Sequence, residues 1–276
     1  MARNSPHETD INVNRIRAVF QHLHSQKSKA IIPYITPEFP IKGTTVPLIL
    51  GLERAGASLI EVGIPFSDPI ADGVTIQHSS HVAIENGVTI GGILESVKEA
   101  RQTSAIPVVL MGYANPILRY GMEKFLREAK QCGVDGVIVP DLLPDESDDW
   151  RNLSLKYAVS NIFLIAPTTP EKRIRYLDSL STDFSYCVSV TGVTGARSSF
   201  GHSRALEDFL QRMKKNTAKP FVVGFGISKR EQVELMCRYA DGVVVGSALL
   251  RSIENEKSID GVVASAGAFL SSLIRE

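Results

Sequence analysis

The chain has 276 residues, 43% of them hydrophobic, enough to bury a large core and within the length that an α/β barrel occupies as one domain. Thirty Lys and Arg balance thirty Asp and Glu. With no basic block or RNA-binding aromatic motif, that balance argues against a nucleic-acid partner.

The first 14 residues are polar and lack the apolar stretch of a signal peptide, and no later segment is long and apolar enough to span a bilayer. A cytoplasmic protein without membrane partners is expected, with residues 1–14 a flexible extension and 15–276 a single barrel domain. Ile16, Val19, Phe20 and Leu23 recur at helical spacing. They predict an extra N-terminal amphipathic helix that caps the bottom of the barrel.

Eight apolar runs follow, at residues 30–35, 58–64, 107–111, 136–139, 162–166, 186–190, 220–224 and 242–246. Each leads into turn residues and a stretch of helical periodicity, the pattern of a parallel sheet covered by helices. Eight alternations suggest a (β/α)8 TIM barrel, although an open doubly wound sheet has the same local pattern. Helical stripes containing Val46, Ile49 and Leu50, and Phe125, Ala129 and Cys132, end at Gly56 and Gly133. Residues 255–258 form a polar break before a final small-residue helix.

The second run carries Glu61 among apolar neighbours. A lone buried charge is costly, and alternation puts Leu59, Glu61 and Gly63 on one face of that strand. The following Ser67-Asp68-Pro69-Ile70-Ala71-Asp72-Gly73 is a turn-rich loop that can fold a further carboxylate back over the strand end. Glu61 and Asp72 therefore read as an acid pair at the barrel rim, where catalytic groups of such barrels lie. His78 and His81, three apart on a predicted helix, have no ligand pattern beside them and read as solvated helix residues. Cys132, Cys187 and Cys237 have neither metal-site spacing nor an even count, and read as reduced core thiols. No metal site is expected.

Val223-Gly224-Phe225-Gly226 ends the seventh run, and Val245-Gly246-Ser247 ends the eighth. Glycine turns there, leading into helices, suit a phosphate group. Residues 190–199 after the sixth run contain Gly192 and Gly195. They suggest a lid, with Gly195 adding a phosphate contact; an ordinary surface loop is the alternative.

Residues 61–73 together with Ile76-Gln77, then Met111-Gly112-Tyr113-Ala114-Asn115-Pro116, Pro140-Asp141-Leu142, residues 189–195, Gly224-Phe225-Gly226-Ile227 and Gly246-Ser247 resemble the tryptophan synthase alpha subunit family. The resemblance implies a barrel that cleaves indole-3-glycerol phosphate to indole and glyceraldehyde 3-phosphate. It also implies an alpha2-beta2 assembly in which a beta subunit receives the indole and holds the pyridoxal phosphate, leaving this chain without a cofactor.

By the same resemblance, Glu61 and Asp72 are catalytic, Tyr186 and Thr194 support them, and Tyr34, Ile76, Met111 and Phe225 enclose the indole. Asp141 orients site groups or meets the partner. Two departures stand out: Thr36-Pro37-Glu38-Phe39-Pro40 replaces the usual Thr-x-Gly-Asp-Pro turn, and Val74 stands where the family has proline. The first is expected to change backbone angles and charge near the beta interface, and the second to leave its loop less stiff. Alternatives are a free-standing indole-releasing lyase, an alpha-like activator of a beta subunit, and a phosphosugar isomerase on a similar barrel.

Overall fold

The computed structural model describes residues 14–188, 204–224 and 226–274. Its strands are β1 (Ala30–Ile35), β2 (Ile60–Gly63), β3 (Val108–Met111), β4 (Gly136–Ile138), β5 (Ser160–Ile162), β6 (Leu164–Ile165), β7 (Ser185–Val188), β8 (Phe221–Gly224) and β9 (Gly242–Val245). All the recorded pairings are parallel, in the order β5-β4-β3-β2-β1-β9-β8-β7-β6. The two ends of this sheet are halves of one stretch interrupted at Phe163, so the sheet closes on itself as a barrel. The Phe163 carbonyl accepts from Tyr186 N–H at 3.4 Å and its own N–H donates to Ser181 Oγ at 3.0 Å. The fifth run thus begins two residues before the predicted 162–166, at the polar pair Ser160 and Asn161.

Helices α1 (Arg15–Ser25), α2 (Thr45–Arg54), α3 (Val74–Glu85), α4 (Ile90–Ala100), α5 (Ala114–Tyr120) and α6 (Met122–Cys132) belong to the first half. The second half carries α7 (Asp148–Lys156), α8 (Glu171–Leu180), α9 (Arg204–Asn216), α10 (Arg230–Cys237), α11 (Ser247–Ile253) and α12 (Ile259–Ile274). Strand residues are buried on both faces, as Val108, Val109 and Leu110 show at 0% exposure. A sheet sandwiched between a filled interior and a helical sleeve requires that. Gly133 ends α6 in the left-handed region at φ 87°, where a side chain would be strained.

Helix α1 closes the N-terminal end. Ile16 and Phe20 are buried, and the Phe20 ring lies 5.4 Å from that of Phe184. Two acids that precede strands fasten the helix: Asp135 takes Arg15 at 2.9 Å, and Asp183 takes Arg17 at 3.1 Å and Asn14 at 2.7 Å.

Both departures from the family turn acquire a physical reading. Glu38 sits at φ 60°, in the backbone region that favours the missing glycine. Its carboxylate accepts from Gly43 N–H at 2.5 Å and Thr45 Oγ1 at 2.6 Å. The charge that the altered turn was expected to lose is therefore supplied from one residue earlier, at the N-terminal end of α2, where it suits the helix dipole. Val74 is the first residue of α3, a position whose N–H has no helical partner, and the preceding Gly73 is extended at φ −75°, ψ 162°. Proline fits both conditions. Val74→Pro is expected to raise stability by about 0.5 to 1 kcal/mol; a lower thermal midpoint would contradict this account of the loop.

Candidate active site

Glu61 belongs to β2, aligned with Tyr34 of β1 and Val109 of β3. It faces the barrel interior and is 2% exposed. Burial pushes its carboxyl up to about 8; a hydrogen bond from Tyr186 opposes the shift, and the Asp72 charge adds to it. Asp72 comes from the loop after β2 and is half-buried. It is pushed up to about 6, again by burial, against a hydrogen bond from Tyr113. Two carboxyls of ordinary chemistry thus fall on opposite sides of neutrality because one is sealed in the barrel and the other reaches its rim.

The loop holds Asp72 in place through its backbone. Asp72 N–H donates to the Pro69 carbonyl at 3.0 Å, and Gln77 Nε2 on α3 donates to the Asp72 carbonyl at 2.9 Å. Tyr113, after β3, accepts from Ala71 N–H at 3.0 Å, which leaves its own proton for Asp72. Phe66 packs against Tyr113 with ring centroids 5.4 Å apart. Asp141, on the next loop, accepts from Ala114 N–H at 2.9 Å and so caps α5.

Tyr186 lies on β7 and leans over Gly224, where an added Cβ would stand 2.7 Å from its hydroxyl. Gly224 therefore has a steric reason for being glycine besides any anion. Gly226 is in the left-handed region at φ 64°. The amides of Ser228 and Lys229 are already taken by Gln232 Oε1, at 2.9 and 3.1 Å. Gly246 and Ser247 open α11, and among the described residues no N-cap side chain bonds its first amides.

A small cavity at the rim is lined by Tyr34, Ile64, Asp72, Met111, Gly112 and Tyr113. Tyr34 and Met111 of the predicted indole pocket thus meet Asp72, and Ile76 sits half-buried in the first turn of α3. Thr194, Gly195 and Phe225 lie outside the described residues. Tyr113 is the site group that pattern reasoning did not assign; its only signal was the Met111-Gly112-Tyr113 block. A roomier groove of about 850 Å³ runs beneath α1 at the opposite end. Three of its cations are engaged by neighbouring groups: Arg17 by Asp183, Lys29 by Asp241, and Lys219 by the Asp178 carbonyl.

A parallel β/α barrel with a buried acid and a rim acid beyond its strand ends defines an enzyme of the TIM-barrel class. The family model for the tryptophan synthase alpha chain matches residues 20–272. The tryptophan synthase alpha chain of Chlorobium chlorochromatii is 46% identical over 267 residues, covering 94% of this chain and 98% of that protein. The crystal structure of tryptophan synthase subunit alpha from Legionella pneumophila superposes with a TM-score of 0.85 at 34% identity, covering 95% of this chain and 97% of that one. A chain from the tryptophan synthase complex of Pyrococcus furiosus superposes at 0.80 with 39% identity, covering 89% and 97%. The chain belongs to the tryptophan synthase alpha chain family.

Proposed function

We propose that Glu61 and Asp72 carry out the alpha reaction of tryptophan biosynthesis, the retro-aldol cleavage of indole-3-glycerol phosphate to indole and glyceraldehyde 3-phosphate. The observation that carries this assignment is the split pair: a sealed Glu61 pushed up to about 8 beside a rim Asp72 at about 6. At neutral pH the first holds a proton and the second holds a charge.

Glu61 delivers its proton to indole C3, which makes the ring cationic. Asp72 accepts a hydrogen bond from the ring N–H and stabilises that charge. The Glu61 carboxylate then removes the proton of the hydroxyl on the adjoining glycerol carbon. An aldehyde forms, the carbon–carbon bond breaks with its electron pair returning to the ring, and Glu61 regains the proton it gave. Tyr186, with Thr194 in the proposed lid, supports the acids. Gly195, Gly224, Phe225, Gly226, Gly246 and Ser247 form the cradle for the phosphate, and Tyr34, Ile76, Met111 and Phe225 enclose the indole. None of these steps calls on a cofactor in this chain.

The beta subunit of an alpha2-beta2 assembly is the proposed partner, with the pyridoxal phosphate on its side. Support comes from apolar side chains exposed after three consecutive strands: Ile70 (90%) and Val74 beyond β2, Leu118 beyond β3 and Leu143 beyond β4. Exposed apolar groups beyond three neighbouring strand ends suit a protein surface. No helix among the described residues is long and apolar enough to cross a membrane.

Purified chain incubated with indole-3-glycerol phosphate, with and without a beta subunit, tests reaction and partnership together. Indole release that rises on mixing is expected; release without any complex favours the free-standing lyase. Asp72→Asn is expected to slow cleavage by about 10²-fold or more while leaving affinity for glycerol phosphate largely unchanged. Loss of glycerol phosphate binding would show that Asp72 is misassigned.

A further inference from the structure

One phenol oxygen holds both Asp72 and the residue before it. Tyr113 Oη accepts from Ala71 N–H at 3.0 Å, and the same hydroxyl is hydrogen-bonded to the Asp72 carboxylate. A phenol has one proton to give, and an ionised carboxylate only accepts. The proton therefore points at Asp72 while a lone pair takes the backbone N–H. Tyr113 is 5% exposed, which leaves water little part in the arrangement.

The tyrosine is braced at its ring and at its backbone. The ring lies against Phe66, centroids 5.4 Å apart, at the start of the loop that carries Asp72. The main chain is extended at φ −69°, ψ 154°, as the residue that opens α5. The next amide, Ala114 N–H, donates at 2.9 Å to Asp141 on the loop after β4. Loops from three neighbouring strands thus meet at Tyr113, and Tyr113 and Asp72 line the same rim cavity. The Asp72 main chain is held separately, its carbonyl by Gln77 on α3. What Tyr113 adds is the direction of the side chain.

We propose that Tyr113 is a positioning residue that turns the Asp72 carboxylate into the rim cavity and keeps it ionised. The inference rests on the alpha reaction assigned above, in which Asp72 must hold a charge while Glu61 holds a proton. Burial favours the neutral acid, whereas a hydrogen bond donated to the carboxylate favours the charged one. Among the described residues, burial and the Tyr113 bond are what set Asp72. The titratable groups around it are Glu61 on β2, Tyr34 on β1, and Asp141 behind Tyr113. Asp68, on the same loop, is exposed and takes the Ser67 hydroxyl. Helix α3 presents the uncharged Ser80 to the cavity, while its His78 and His81 are exposed. With no lysine or arginine among these groups, a neutral hydroxyl supplies the stabilisation.

The test is a carbon NMR titration of the full chain without substrate, with isotope-labelled aspartate carboxyls and the Asp72 signal identified by its loss in Asp72→Asn. Tyr113→Phe keeps the ring against Phe66 and removes both hydrogen bonds of the phenol. The Asp72 midpoint is expected to rise by about half to one pH unit. With indole-3-glycerol phosphate at neutral pH, kcat of Tyr113→Phe is expected to fall about ten-fold, with KM changed by less than about two-fold. In an Asp72→Ala background the same substitution should cost no more than about two-fold, because Tyr113 acts through the acid.

An Asp72 midpoint unchanged or lowered in folded Tyr113→Phe overturns the proposal. A loss of kcat that persists in the Asp72→Ala background overturns it as well, since a merely structural tyrosine gives that result. So does a raised KM with kcat unchanged, the mark of a tyrosine that only contacts substrate. The expected midpoint shift in a protein that releases no indole would retain the Tyr113 assignment and overturn the reaction instead.

Discussion

Glu61→Gln is expected to leave the barrel folded and to slow indole release by about 10² to 10⁴-fold, the usual range for acid–base assistance. Glutamine keeps the shape and the polar contact to Tyr186 but has no proton to deliver at C3 and no base to receive one. Turnover comparable to the unmodified chain would remove Glu61 from the mechanism. Stability should move the other way. The unfolded chain ionises Glu61 near 4.5, whereas the folded barrel holds the proton up to about 8. The unfolded state therefore binds fewer protons between those limits, and the contribution of Glu61 to stability, full below the first, is lost as pH rises through the second. Glu61→Gln removes that loss, so the variant should unfold at a higher temperature than the unmodified chain above about pH 8. An acid that costs the fold stability where it is ionised and is kept nonetheless has its reason in chemistry.

The largest structural effect is expected at the other end of the barrel. Asp135, 9% exposed, precedes β4 and accepts from Arg101 at 2.8 Å, Arg15 at 2.9 Å and Val108 N–H at 2.9 Å. Arg101 also donates to the carbonyls of Gly133 and Ile106, and its side chain is 11% exposed. Asp135→Ala would leave that buried guanidinium facing a second one on α1 with no anion between them. The expected cost is about 3 to 5 kcal/mol, or about 10 °C in thermal midpoint for a domain of this size. A loss below about 1 kcal/mol would mean that the cluster behaves as a surface ion pair and that α1 is held by Ile16, Phe20 and the Asp183 contacts.

The barrel was legible because a parallel sheet buried on both faces writes itself as uninterrupted apolar runs, and the helices between them carry a different period. Glu61 was legible for the same reason, as the one charge in such a run. Tyr113 was not. Its role depends on the N–H of Ala71, 42 residues away in sequence, and no local pattern encodes that contact. The buried hydrogen bond between Thr36 and Ser79 was hidden in the same way, since the two are 43 residues apart and each reads alone as an ordinary polar position. The Thr36 to Pro40 turn suggested a lost charge, because position-by-position comparison cannot see that Glu38, in a left-handed conformation, aims its carboxylate at α2. The fifth strand was placed late because it starts on Ser160 and Asn161, which are polar yet buried, with Ser160 Oγ on Asp183, Asn161 Oδ1 on Trp150 and the Asn161 N–H on Thr182.

The acid pair is tested most directly by kcat/KM for indole-3-glycerol phosphate as a function of pH, which reports the ionisations of the free enzyme. The limb near 6 is shared with the substrate phosphate, whose own second ionisation lies there, so the alkaline limb decides. Activity is predicted to fall through about pH 8 as Glu61 loses its proton, with no such limb in the residual activity of Glu61→Gln. Activity of the unmodified chain that stays level well above pH 8, or the same limb in the glutamine variant, would contradict the account.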